Sequence, residues 1–293
     1  MLRPAPRVGF MYSGSCLCGD IAFVVDGLIE HVDQCHCSMC RKAHGAAFAT
    51  YGGAAPEDFR MLRGESLARS YRSSPIGRRP FCPRCGSVVP RAVPGTPVAI
   101  ALGNVAQTPA ARPKSHFFVG SKAPWHEIPD DLPQFDEYPA SFGFDASVTW
   151  RPVRSTSPPG RTGGSCLCGA VAFEFRGRPV EMVNCHCRAC RRAVSAGFAT
   201  YVTIEREAFR WTAGESNVVR FSKPGSLHAS SAFCSTCGSP MPRSAPSGRI
   251  DVPAGSLDDD PGLRAGANLH VAEKADWVVL DPDLPAFATV PDE

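Results

Sequence analysis

Fourteen cysteines carry the chemistry of this 293-residue chain, and they fall into one pattern written twice. The first copy reads Cys16-Leu17-Cys18, then Cys35-His36-Cys37-Ser38-Met39-Cys40, then Cys82-Pro83-Arg84-Cys85. The second reads Cys166-Leu167-Cys168, then Cys185-His186-Cys187-Arg188-Ala189-Cys190, then Cys234-Ser235-Thr236-Cys237. Thiolate sulfur suits zinc, which takes four ligands in a tetrahedron. A Cys-x-x-Cys turn places two sulfurs on one ion. A Cys-x-Cys pair does the same at a sharper bend, where a disulfide would be awkward. Two distant pairs therefore make a closed four-sulfur site from Cys16, Cys18, Cys82 and Cys85, with the counterpart Cys166, Cys168, Cys234 and Cys237. Sites of this kind hold structural zinc, which contributes about 10–16 kcal/mol in small peptides.

The middle clusters offer three sulfurs each, Cys35, Cys37 and Cys40 in one copy and Cys185, Cys187 and Cys190 in the other. A water or substrate as fourth ligand leaves such a site open, as in catalytic zinc centres, whereas a histidine closes it. His44 is near in sequence, but its counterpart is Val194. His36 and His186 lie between two ligands and are expected to point away from the ion. His116 and His270 pair as matched but distant residues. The open reading is preferred. Three thiolates leave a divalent ion with a formal charge of −1, which blunts its power to acidify water. Capture of a small thiol as its thiolate, the reactive form, suits it better, because a free thiol with a pKa of about 8.5 is mostly protonated at neutral pH.

Positioning these sulfurs falls to two similar domains. The copies align at an offset of 150 (Gly14 to Gly164), growing to 152 by the third cluster (Cys82 to Cys234), and Trp125 pairs with Trp277. This is a duplicated domain rather than a short solenoid repeat. Residues 151–161, rich in proline, serine and glycine, read as a linker between a first domain over 1–150 and a second over 162–293. Each half, of about 130–150 residues, can bury a core of its own. The 27 glycines and 28 prolines punctuate short β-prone runs at Ile21–Val25, Phe48–Tyr51, Phe59–Leu62, Ala68–Tyr71, Val98–Leu102 and His116–Val119. Only the segments after Cys40 and Cys190 suit a helical turn or two, so the fold class is mainly β. Glycines at 14 and 19, 164 and 169, 86 and 238 bracket the cysteine pairs and are expected to supply positive φ.

The trio Gly-Ser-Cys-x-Cys-Gly, Cys-His-Cys-x-x-Cys-Arg and Phe-Cys-x-x-Cys-Gly resembles the glutathione-dependent formaldehyde-activating enzyme family, which includes centromere protein V. The tail His116-Phe117-Phe118-Val119 with Ser121-Lys122 and Trp125 is similar to it as well. The resemblance covers nearly all of both halves. It implies two tandem Mss4-like zinc-binding β domains and structural zinc on each four-cysteine set. It also implies a second zinc on each three-cysteine set, where glutathione and formaldehyde would combine as in S-(hydroxymethyl)glutathione synthase, a carbon–sulfur lyase. Copy two keeps the acidic turn Gly255-Ser256-Leu257-Asp258-Asp259, whereas copy one has Gly103-Asn104-Val105-Ala106-Gln107 and lacks those acids.

Arg41 and Arg191 follow the middle clusters and could take a carboxylate of a glutathione-like thiol, as arginine does in bidentate fashion. Lys42, Arg192, Lys122 and Lys274 read as surface charge. Phe48, Tyr51, Phe198 and Tyr201 read as strand core, with Trp125 and Trp277 capping it. The 31 basic and 28 acidic residues are too balanced for nucleic acid as a main partner. No apolar run spans a bilayer, and no signal-like stretch opens the chain, so the expected setting is the cytoplasm and the expected partners are a small thiol and an aldehyde. The competing reading is a non-catalytic, zinc-stabilised interaction module.

Overall fold

A computed structural model of the chain describes residues 10–75, 77–139, 157–225 and 230–291. The architecture is mainly β, with two short α-helices among the described residues. Strands of the first repeat are β1 (Met11–Ser15), β2 (Ala22–Asp26), β3 (Ile29–Cys35), β4 (Ala49–Ala54), β5 (Phe59–Arg63), β6 (Arg69–Arg72), β7 (Arg78–Phe81), β8 (Val98–Ala101), β9 (His116–Phe117) and β10 (Gln134–Phe135). Those of the second are β11 (Arg161–Ser165), β12 (Ala172–Arg176), β13 (Glu181–Cys185), β14 (Ala199–Ile204), β15 (Phe209–Ala213), β16 (Val218–Ser222), β17 (Ser230–Cys234), β18 (Arg243–Ser244), β19 (Ile250–Pro253) and β20 (Asn268–Leu269). The helices are α1 (Ser38–His44) and α2 (Arg188–Val194).

Each repeat carries the same three sheets. A three-stranded sheet runs β1-β2-β5, matched by β11-β12-β15, and a hairpin β6-β7 is matched by β16-β17. The larger sheet runs β10-β9-β3-β4-β8 in the first repeat and β20-β13-β14-β19-β18 in the second. Of the expected linker, residues 151–156 lie outside the described residues, and β11 already begins at Arg161.

The sheet register corrects one pairing. Gln34 sits beside His116 and Asn184 beside Asn268, so Asn268 is the counterpart of His116. His270 corresponds to Phe118; both take positive φ, near 60°, at the start of a 3-10 turn. Matching histidine to histidine slips the alignment by two residues, whereas the β3–β9 and β13–β20 ladders fix it.

The two repeats do not keep separate cores. One apolar cluster joins Tyr12, Phe23, Ile100 and Trp125 of the first to Phe173, Val202, Val252 and Trp277 of the second. Phe48 meets Phe198 edge to face at 5.6 Å, and Phe81 meets Phe233 in the same way at 6.4 Å. Contact is closest where the 3-10 turn after β8 or β19 abuts the helix of the other repeat. A Cβ on Gly103 would lie 2.3 Å from Ala196 N, and one on Gly255 2.3 Å from Ala46 N. Gly14 and Gly164 also serve space: a Cβ there would strike the ring of Phe23 or Phe173, and neither glycine has positive φ. Gly19, Gly86, Gly169 and Gly238 do take positive φ, as expected of the cysteine turns.

Candidate metal centres

The β1–β2 turn and the turn after β7 bring the first four-sulfur set together. Cys16 N–H donates to Ile21 O and Gly19 N–H to Cys16 O, a tight turn that leaves Ile21 N–H directed at Cys16 Sγ, 3.4 Å away. Cys82 N–H donates to Ser87 O and Gly86 N–H to Cys82 O in the second turn. Cys16 and Cys18 sulfurs are 3.4 Å apart, and those of Cys18 and Cys82 are 3.6 Å apart. The counterpart distances are 3.4 Å for Cys166–Cys168 and 3.7 Å for Cys168–Cys234. A tetrahedron with sulfur arms of about 2.3 Å has edges of about 3.8 Å, so both sets fit a divalent zinc ion. In each, all four sulfurs lie within 4.8 Å of one another, and all fourteen cysteines are free of disulfides.

The three-sulfur sets are built at a strand–helix junction. Cys35 ends β3, Cys37 is the N-cap of α1, and Cys40 lies in the first turn of the helix. Cys37 sulfur accepts the Cys40 N–H at 3.4 Å, as a side-chain oxygen does at an ordinary N-cap. Cys185, Cys187 and Cys190 repeat the arrangement on β13 and α2, with Cys190 N–H 3.3 Å from Cys187 Sγ. No histidine or carboxylate among the described residues joins either set within the 4.8 Å that encloses its sulfurs. Both three-sulfur sets could hold a metal ion with a position left for another ligand.

These thiols share protons. Hydrogen bonds from Cys35 and Cys37 hold Cys40 well below the usual thiol range, with Arg79 adding to the effect against burial. In the second repeat, bonds from Cys185 and Cys190 pull Cys187 down to about 2, while Cys190 is pushed well up. Sulfurs gathered this closely favour a cation between them.

The interposed histidines do point away. His36 Nε2 meets His116 Nδ1 at 2.8 Å, and His116 Nε2 meets Asp130 at 2.9 Å. Because a carboxylate only accepts, His116 donates from Nε2 and receives the proton of His36 at Nδ1. In the second repeat Asn268 replaces His116 and takes the Nε2–H of His186 at 3.1 Å. Between these residues and Phe48, Phe198, Trp125 and Trp277 lies a cleft of about 120 Å³ on the contact between the repeats, with a mixed polar and apolar lining that suits ordered water.

Other expectations are redistributed. Arg41 donates from Nη1 to Leu257 O of the other repeat at 3.0 Å and is buried, as is Arg191; a ligand carboxylate on Arg41 would have to break that contact. Lys42 is not surface charge. It is 2% exposed and crosses to the second repeat, where Nζ meets Ser165 O at 2.7 Å and Asp258 at 2.5 Å. Asp258 and Asp259 of the acidic turn also accept from Ser165 Oγ and Gly163 N, both at 2.7 Å, so this turn anchors β11 and Lys42. Gln107 takes the place of Asp259 in the first repeat, accepting Ser13 N–H at 2.7 Å. Lys122 donates to His126 O and Lys274 to Val278 O, tying down the turns that carry Trp125 and Trp277.

Beside the first three-sulfur set, Arg79 and Tyr138 escaped sequence reading, and His44, weighed there only as a metal ligand, takes a different part. Arg79 places Nη1 and Nη2 at 3.7 and 3.6 Å from Cys40 Sγ. His44 donates from Nδ1 to Val194 O of the other repeat at 2.9 Å, so its Nε2 accepts the Tyr51 hydroxyl at 2.7 Å. Burial pulls His44 down to about 4, keeping it neutral. Tyr138 packs against Phe117 and Phe118, and after burial the charges of Cys35, Cys40 and Cys37 push its hydroxyl up. Position 79 corresponds to Ser231, position 44 to Val194 and position 138 to Val290, so comparing the copies conceals all three.

Residues 11–121 and 161–273 each match the family described as glutathione-dependent formaldehyde-activating enzyme. The chain belongs to that family. Both matched segments carry all seven of their cysteines. No curated protein matches the chain. Among solved structures, a Rhodobacter sphaeroides protein is similar to it at 24% identity, over 33% of this chain and 89% of that one, with a TM-score of 0.28. No helix among the described residues is long and apolar enough to cross a membrane.

Proposed function

We propose that this chain is a zinc-dependent carbon–sulfur lyase or synthase that joins a small, glutathione-like thiol to an aldehyde at its three-cysteine sites. The observation that carries the reading is the three-sulfur set that no fourth protein ligand joins among the described residues, present in both repeats within a family named for that chemistry. Zinc held by three cysteines would keep an exchangeable ligand position and favour the thiolate form of a bound thiol. Cys35, Cys37 and Cys40, and Cys185, Cys187 and Cys190, would hold it, while the two four-cysteine sets would hold structural zinc.

The chain's own residues set the conditions. Arg79 offsets part of the thiolate charge on Cys40. His44 and Tyr51 brace α1 against β4 and against the second repeat. When a thiolate adds to a carbonyl carbon, the carbonyl oxygen must take a proton, and the Tyr138 hydroxyl, close enough to feel the charges of Cys35, Cys40 and Cys37, would supply it. Matching residues along both halves support an origin by tandem duplication. Kinship with centromere protein V and a reducing, cytoplasmic setting, in which fourteen cysteines stay free to bind metal, belong to the same proposal.

The test is a glutathione titration of cobalt-substituted protein, following the sulfur-to-cobalt charge-transfer band. A saturable rise, lost when Cys37→Ser and Cys187→Ser are combined, supports the enzyme. No change at millimolar glutathione with every site loaded would replace it with a zinc-stabilised interaction module.

A further inference from the structure

The two three-sulfur sets differ in the charge around them. In the first, the Arg79 guanidinium faces Cys40 Sγ with two nitrogens at 3.6 and 3.7 Å. Its Nε donates to Ser73 Oγ at 3.1 Å, and no carboxylate among the described residues pairs with it. Three thiolates and a divalent ion sum to −1, and Arg79 brings this first site to neutrality. The side chain is half-buried, so water screens its charge only in part. At longer range Arg91 and Asp33 act on the neighbouring tyrosines with opposite signs.

In the second repeat the position of Arg79 is Ser231, whose hydroxyl donates to Cys85 O of the first repeat at 2.8 Å. The arginine near Cys190 is Arg243, and it is committed elsewhere. Its guanidinium lies over the Tyr201 ring at 4.6 Å, its Nη2 is 3.8 Å from Asp251, and its Nη1 donates to Ser230 O at 2.5 Å. Asp251, 3.8 Å away, offsets part of its charge, and the rest is shared among Tyr201, Cys190 and Cys185 with no guanidinium hydrogen bond to a sulfur among the described contacts, so the second site keeps more of the net −1 of the three thiolates and the ion than the first. His270 also acts on Cys187 from the turn after β20.

We propose that Arg79 makes the first repeat's three-cysteine site the one that accepts an anionic ligand, a thiolate or other small anion, while the second repeat's site prefers a neutral donor. This rests on the reading of both sites as open. It divides the labour between the repeats: the first takes the charged sulfur substrate, and the second is left to neutral molecules. Arg79 is a specificity-determining residue in this arrangement, acting through charge at the ligand position.

Cadmium-113 NMR of the fully loaded chain at pH 8 tests it, because three-sulfur and four-sulfur sites resonate apart and both kinds are seen in one sample. The probes are azide, an anion, and imidazole, a neutral donor, so a failure of thiol chemistry does not enter the result. Arg79→Gln assigns the first site by the signal it moves. Azide is expected to shift that signal with a midpoint roughly tenfold lower than the other three-sulfur signal, as one partly screened charge a few ångströms away provides. Arg79→Gln should remove the difference, Arg79→Lys should restore part of it, and neither should change the imidazole midpoint. Equal azide midpoints at the two sites would overturn the proposal. So would an azide midpoint untouched by Arg79→Gln while all four cadmium signals persist. If Arg79→Gln loses cadmium, the wild-type comparison and Arg79→Lys decide. Should neither probe move either signal, the open-site reading itself fails.

Discussion

Lys42 is the charge on which the contact between the repeats most depends. Its ammonium is 2.5 Å from Asp258, with Ser165 O at 2.7 Å and Ser165 Oγ at 2.8 Å, and its side chain is 2% exposed against 13% for Asp258. At that separation the Coulomb attraction is about 6–7 kcal/mol for an effective dielectric of about 20, and most of it offsets the desolvation of two ions. The intact pair therefore adds little net stability, but removing one member strands the other. Lys42→Met, which keeps length and removes charge, should cost about 3–5 kcal/mol by leaving Asp258 buried and unpaired. The double variant Lys42→Met/Asp258→Asn should recover more than half of that. Arg192→Met, at the matching position, removes no described ion pair, since Ala106 stands where the second repeat has Asp258, and should cost less than about 1 kcal/mol. Urea unfolding of the zinc-loaded chain, followed by tryptophan fluorescence, gives all three values. A Lys42→Met loss below about 1 kcal/mol, or a double variant no better than the single one, would refute the reasoning.

Three other outcomes follow from the same geometry. Gly103→Ala and Gly255→Ala place a Cβ 2.3 Å from the backbone nitrogen of Ala196 or Ala46, just past the end of the opposite helix, and each should destabilise the chain by about 1–3 kcal/mol or more in the same unfolding assay. Cys37→Ser should lower the bound zinc by one ion per chain by mass spectrometry under native conditions while far-UV circular dichroism stays unchanged, whereas Cys85→Ser, at a closed site in the core, should also lower the unfolding midpoint. On acidification, burial holds His44 near 4 and His126 near 3, both below the ordinary histidine value of about 6.5. Their neutral forms are favoured in the fold, so this stability is present above pH 6.5 and is lost as pH falls towards 4 and 3. His44→Gln should flatten the upper part of that loss in unfolding measured from pH 7 to pH 4.

The metal-binding pattern was legible because cysteine spacing is a local property: a Cys-x-x-Cys turn behaves alike wherever the chain places it. Strand runs with strong apolar character were legible too, and Phe59–Leu62 and Val98–Leu102 lie within a residue of β5 and β8. Less visible were β1, whose Met11-Tyr12-Ser13-Gly14-Ser15 has little apolar alternation, and β7, Arg78-Arg79-Pro80-Phe81, which pairs only because the hairpin brings it to β6. Helix α1 starts earlier than its sequence suggests because a cysteine caps it. The contact between repeats was hidden altogether. A lysine reads as surface until a partner surface with Ser165 and Asp258 is known, and an arginine after a cysteine cluster reads as a ligand contact until Leu257 O is seen to accept from it.

The interdigitation of the repeats bears on why two nearly identical cysteine frameworks can diverge in one chain. Each helix that carries a three-sulfur set is braced by the other repeat: α1 by the turn of Gly255 and by Val194 O, α2 by the turn of Gly103 and by Ser87, whose hydroxyl donates to Arg192 O at 2.8 Å. Ser87 also takes the N–H of Leu17 at 3.0 Å and lies 3.4 Å from Cys85 Sγ, so the four-sulfur set of the first repeat is one residue removed from the helix of the second. Neither half can lose its framework without disturbing the other's site, which holds all fourteen cysteines in place. Residues around the sulfurs are tied less tightly: His44 does reach Val194 O of the other repeat, but Arg79 bonds Ser73 and Cys40 of its own. Arg79 against Ser231, His44 against Val194 and Tyr138 against Val290 change the charge, hydrogen bonding and cover of one site alone. Differences in ligand preference between the halves must therefore arise at those positions, with the cysteines themselves unchanged.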